Sequence, residues 1–161
     1  MKKKSSDILE EIDEKDLMIL EILQRDSDVT FTEIGKALKI SPSTAYNRVK
    51  KLKDLGLIKK MISVIDYERL GFRVRAIILI RSDPKKLESV VEELKKKDRI
   101  VAIYDVTGEP TLIALAITRN HSDLAKLLDE IGKIDGVHST NTMIIMRTFK
   151  ESYEIVLTQK Q

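Results

Sequence analysis

Apolar residues recur at helical spacing three times in the first third of the chain. Over residues 13–24, Leu17, Leu20 and Leu23 form a stripe with Ile19 alongside, behind Asp13 as a helix N-cap. Phe31, Ile34 and Leu38 then share a face, with Gly35 beside them small enough to admit a second helix. Thr30 and Glu33 have the spacing of a capping box at the start of that segment. Only Lys39 and Ile40 separate it from a third pattern, opened by Ser41 as N-cap and Pro42 at the first helical position. Its inner face is Ala45, Val49 and Leu52, and Gly56 stands where a terminating glycine belongs. Two short helices so tightly joined predict a helix-turn-helix, and the first helix completes a three-helix core.

Beyond Gly56 the helical period is lost. Leu57, Ile58, Met61, Ile62, Val64 and Ile65 predict one or two strands, a wing or a connector, and residues 67–72 complete the link. From Arg73 onward the pattern reads strand 74–80, helix 84–97, strand 100–106, strand 111–117, a helix from Asn120 or Ser122 to Lys133, and strand 137–146. Gly108-Glu109-Pro110 forms the turn between the middle strands, and Gly136 breaks the second helix. This order, βαββαβ, predicts a ferredoxin-like domain with both helices on one face of a four-stranded antiparallel sheet. The fold class is therefore α+β: an N-terminal three-helix winged helix-turn-helix domain followed by the βαββαβ domain. The expected boundaries are an extension at 1–12, the helix-turn-helix at 13–58, a connector at 59–72, the second domain at 73–150 and a tail at 151–161. The strands are too apolar for water on the uncovered face, so a second copy is expected there and the chain is expected to dimerise.

Charge turns the helix pair into a functional proposition. Residues 36–60 hold Lys36, Lys39, Arg48, Lys50, Lys51, Lys53, Lys59 and Lys60 against Asp54 alone, whereas residues 5–33 are acidic. The net charge of +3 is mild, so the signal is a local basic patch that a duplex attracts. On the third helix the face opposite the core carries Ser43, Asn47 and Lys50, flanked by Tyr46, Thr44 and Lys51. Ser43, Thr44, Tyr46 and Asn47 are the candidates for reading base edges, with Asn47 suited to a bidentate pair on adenine. Lys50, Lys51 and Lys53 are candidate phosphate contacts, and Ser41 caps a helix whose free N–H groups can also hold a phosphate. Two recognition helices related by a dimer axis would read half-sites about one helical turn, or a multiple of it, apart.

Other classes are poorly supported. The chain has no cysteine, which removes disulfides and thiolate chemistry, and its two histidines, His121 and His138, belong to no ligand motif. No glycine-rich phosphate loop and no nucleophile–base pair is present, so neither an enzyme nor a cofactor is expected. No apolar run reaches the length of a membrane span, and the basic start at residues 1–6 leads into Asp7, Glu10 and Glu11 instead of a signal-peptide core. A cytoplasmic, nucleoid-associated protein is expected. The abundance of Lys and Glu leans towards a heat-adapted source.

Asp13-x-x-Asp16 with Ile19-Leu20, Ser41, Arg48-Val49 and Leu52-x-x-Leu55-Gly56-Leu57-Ile58 stand in order along the first domain. Thr107-Gly108, Gly136-Val137 and Thr142 follow in the second. In order and spacing this resembles the Lrp/AsnC family of feast/famine transcription regulators, from about residue 13 to 150. The resemblance implies a second domain of the RAM type that binds an amino-acid-like effector between dimers, near the turn after its second strand. It also implies assembly of dimers into rings of eight. Carried onto this chain, the effector residues are Thr107, Gly108, Glu109, Pro110, Thr111 and Thr142. Many members have Gly, an acidic residue, an aromatic and Asp in that turn; here Pro110 and Thr111 replace the last two. The backbone N–H groups of Gly108 and Glu109 remain available to a carboxylate. For Arg48 the resemblance implies either a phosphate clamp or an internal ion pair. An architectural protein that compacts DNA without an effector is the alternative function.

Overall fold

The computed structural model describes residues 10–158. Residues 1–9 of the expected extension and 159–161 of the expected tail lie outside that range. The chain divides into two compact units, one containing residues up to Val64 together with the segment from Lys150, the other spanning Ile65–Phe149.

The first unit holds three helices: α1 (Glu14–Arg25), α2 (Phe31–Leu38) and α3 (Pro42–Asp54). Each begins where a side chain can satisfy an orphan N–H. Asp13, Thr30 and Ser41 accept from the backbone of the third residue on, and the first two complete capping boxes with Asp16 and Glu33. The link between α2 and α3 is fixed by backbone geometry. Lys39 adopts the left-handed conformation, φ 53°, and the Ile40 N–H returns 2.9 Å to the Gly35 carbonyl. A Cβ on Gly35 would lie 2.7 Å from the Ile40 carbonyl oxygen, so the close approach that glycine permits is to the turn itself. Gly56 follows α3 with φ 74°, as a terminating glycine should.

Ile19, Ile34, Leu38, Ala45, Val49 and Leu52 form the buried core. Two expectations about these faces change. Leu17, Leu20 and Leu23 are half-buried, and the fully buried positions of α1 are Ile19 and the charged Asp16. Phe31, expected inside with Ile34 and Leu38, leaves 39% of its surface in water. The strands expected over 57–65 are absent: residues 59–66 have no regular structure. The apolar pattern is there, but a strand exists only through a ladder partner, and this segment has none among the described residues.

In the second unit β1 (Val74–Ser82), β2 (Ile100–Asp105), β3 (Leu112–Thr118) and β4 (Val137–Ile144) build one antiparallel sheet in the order β2-β3-β1-β4. Helices α4 (Leu87–Lys95) and α5 (His121–Gly132) follow β1 and β3. The expected helix over 84–97 is shorter because Pro84–Lys86 is a separate 3-10 turn, held by the Asp83 side chain accepting from the Lys85 N–H. Asn120 is the cap of α5, accepting from Asp123. Ala76, Ile78, Ile80, Leu112 and Ala114 pack against Val90, Leu94, Leu127 and Ile131 of the helices. The alternate residues Ile77, Leu79, Ile113 and Leu115, with Tyr104 and Met143 in register, line the opposite face. Within this unit nothing covers that face.

Candidate nucleic-acid interface

Helix α3 sorts the nine candidate contacts into two groups. Ser43, Thr44, Tyr46, Asn47, Lys50 and Lys53 are exposed, as is Ser41 at the cap. The Ser41 hydroxyl accepts from the Thr44 N–H at 3.1 Å and lies 2.9 and 2.7 Å from the hydroxyls of Ser43 and Thr44. Ser43, Asn47 and Lys50 are spaced along one exposed stripe, with Tyr46 at its edge.

Arg48 and Lys51 instead turn back onto α1. The Arg48 guanidinium donates to Asp16 Oδ1 at 2.7 Å and to Asp13 at 2.8 Å. Lys51 Nζ reaches Asp16 Oδ2 at 3.0 Å and also donates to the Glu11 carbonyl. The Asp16 side chain is wholly buried, so its charge needs these partners. Burial works against its carboxylate, but the bonds from Arg48 and Lys51 outweigh it and hold the pKa below the usual 3.8. Of the two roles implied for Arg48, the ion pair is the one present. Lys51, expected on phosphate, has its ammonium taken up in the same network.

The sequence pattern placed Phe31 on the inner face of α2 and gave no sign of its neighbour on α3. Its ring meets Tyr46 edge-on, with centroids 5.3 Å apart and planes at 89°. A short stretch of chain from the other end also meets α1. Gln24 exchanges two hydrogen bonds with the Ile155 backbone, and one Glu21 oxygen accepts from the N–H groups of Leu157 and Thr158.

In the second unit the expected effector turn is compact. Gly108 has φ 93°, the Thr111 N–H donates to the Ile80 carbonyl at 3.1 Å, and the Thr111 hydroxyl accepts from the Ser82 N–H at 3.2 Å. Glu109 forms an ion pair with Arg81, a residue that no sequence signal pointed to because only strand register brings it there. Val106 precedes Thr107 in this turn, and its N–H donates to the Thr111 carbonyl at 3.1 Å. Pro110 follows Glu109 through a cis peptide. Thr142 is not brought to the turn within one chain. It sits on β4 opposite Ile78, on the far side of β1 from the β2–β3 connection.

A capped helix pair with a basic second helix, joined to a ferredoxin-like sheet, defines a helix-turn-helix DNA-binding regulator. A family model described as winged helix-turn-helix DNA-binding matches residues 12–59, and one described as Lrp/AsnC ligand binding domain matches residues 75–155. The chain is 38% identical over 148 residues to the HTH-type transcriptional regulator FL11 of Pyrococcus furiosus, covering 92% of this chain and 96% of that one. It is 38% identical over 141 residues to the HTH-type transcriptional regulator Ptr1 of Methanocaldococcus jannaschii, covering 87% and 95%. The structure of Escherichia coli AsnC superposes with a TM-score of 0.81 at 28% identity, covering 87% of this chain and 95% of that one. A Neisseria meningitidis transcriptional regulator solved with L-Met shares the fold, with a TM-score of 0.87 at 21% identity over 91% and 97% of the two chains. The chain belongs to the Lrp/AsnC family of transcriptional regulators, and it is not an enzyme.

Proposed function

We propose that the chain is a sequence-specific regulator that binds double-stranded DNA as a dimer or a larger ring and is modulated by an amino-acid-like effector. The observation that carries the DNA reading is the division of α3. Arg48 and Lys51 fasten it to α1, which leaves the exposed Ser43, Thr44, Tyr46 and Asn47 to face base edges and Lys50 and Lys53 to meet phosphates. Ser41 orients the first turn of that helix, where a phosphate also finds free N–H groups. Such a protein works on the nucleoid.

For the effector, the Arg81–Glu109 pair supports a zwitterion. A carboxylate would replace Glu109 on Arg81, and an ammonium would replace Arg81 on Glu109. Gly108, Pro110 and Thr111 shape the turn, Thr107 leads into it, and Thr142 would have to come from another part of the assembly. That the Neisseria meningitidis neighbour was solved in complex with L-Met supports this reading.

Footprinting on DNA enriched from a random pool tests the first part: a phased pair of protected half-sites is expected, whereas uniform coating favours an architectural protein. A melting screen against α- and β-amino acids tests the second. An effector that binds only the native state raises the melting temperature, and loses that effect in Arg81→Ala.

A further inference from the structure

Once the core and the Asp16 network are assigned, the Phe31–Tyr46 pair is left over. Phe31 opens α2 and Tyr46 lies in the second turn of α3, and 39% and 49% of their surfaces remain in water. Edge-to-face packing fixes the orientation of the Tyr46 ring without burying it. One turn along α3 on either side stand Ser43 and Lys50, and Asn47 is adjacent, all exposed. An apolar step is thus built into a polar, cationic surface. Lys50 beside it and Lys53 further along the exposed side of α3 select a polyanion as the occupant, and a duplex presents one apolar group in its major groove, the 5-methyl of thymine.

We propose that this pair is a thymine-reading step: in each half-site Tyr46 packs on a thymine methyl, and Phe31 acts as the positioning residue that holds the Tyr46 ring. The inference rests on α3 being the reading helix, as argued above. It assigns to Phe31 a part in base preference that its place at a helix start does not suggest.

The test uses the full chain and a duplex that it enriches from a random pool. Each thymine is replaced in turn by deoxyuridine, which lacks only the methyl. At one position per half-site the unaltered protein should lose about four-fold in affinity, the worth of one methyl-sized group kept from water. Tyr46→Ala should bind the thymine and uracil duplexes alike. Phe31→Ala should also lose the preference, and Phe31→Trp, which keeps a ring, should restore most of it. A Phe31→Ala protein that melts earlier but keeps the full thymine-to-uracil ratio overturns the positioning role. If no uracil substitution matters while the enriched duplex still outcompetes a scrambled one, the step is wrong and the reading helix stands. If no sequence is enriched at all, both fall.

Discussion

The decisive residue of the DNA-binding unit is a buried aspartate. Asp16 belongs to a capping box, accepts from Arg48 and Lys51, and has no exposed surface. Arg48→Ala removes the shorter of its two side-chain bonds to cations and leaves the carboxylate to Lys51, at a cost of about 1–3 kcal/mol in chemical denaturation. Lys50→Ala, one turn from Tyr46 and exposed, should leave stability within about 0.5 kcal/mol and instead weaken all DNA, lowering the salt slope by about one unit. The contrast separates a fastening cation from a phosphate-binding one on the same helix. Acid gives a second handle. The Asp16 pKa is depressed in the folded chain, so its contribution is fully present above the unfolded value near 3.8 and is lost as pH falls below that towards the folded value. Melting followed from pH 6 down to pH 2 should fall less steeply for Asp16→Asn, which starts from a lower plateau, than for the unaltered chain. Gly35 is the other sensitive residue. Because an added methyl would press on the Ile40 carbonyl, Gly35→Ala should cost about 1–3 kcal/mol, read in the same unfolding curves.

At the scale of elements, what could be read from the sequence was what is local. Asp13, Thr30, Ser41 and Asn120 announce their helices because a cap is a bond between residues three apart. The βαββαβ order was legible for a related reason, since each strand and helix carries its own period. Segment 57–65 carries a strand's composition but no ladder, and composition does not say whether a partner exists. The burial of Asp16, a residue noted only for its place in the family pattern, was not legible because charge normally marks a surface, and only the α1–α3 contact brings its cations. Arg81 met Glu109 through strand register, which a pattern of apolar residues specifies only loosely for the loops beyond it. The hold of α1 on residues 155–158 was equally hidden. It runs through the Glu21 carboxylate, kept below its ordinary range by the N–H groups of Thr158 and Leu157. Glu21→Ala should therefore speed hydrogen exchange at the Leu157 and Thr158 amides while leaving the amides of α3 as protected as before.

At the scale of the molecule, the sheet poses a problem that one copy of the second unit does not solve. Alternation puts Ile78 and Ile80 under the helices, and it must then put Ile77 and Leu79 on the other side. Ile113, Leu115 and Met143 extend that surface across three strands. A patch of this kind on a free surface marks an association site, and an antiparallel sheet with helices on one face can be completed by the same sheet of a second copy. The apolar residues sit at the centre, with Arg81 and Ser139 in register towards one end, as a self-complementary interface requires. Leu79→Glu places a carboxylate in the middle of that surface without touching the helix-side core. Sedimentation should then show a monomer at concentrations where the unaltered chain is expected to sediment as a dimer, with the secondary structure retained in circular dichroism. The functional consequence follows from geometry. A dimer engages two half-sites through one encounter, so its affinity for the paired site exceeds that for a single half-site by the effective concentration of the second reading helix. Leu79→Glu should lose that advantage, binding paired and single half-sites alike, while its single-site affinity and its response to Asn47→Ala stay as they were. Retention of the paired-site advantage by a monomeric Leu79→Glu chain would show that the reading heads are held together by something other than this sheet.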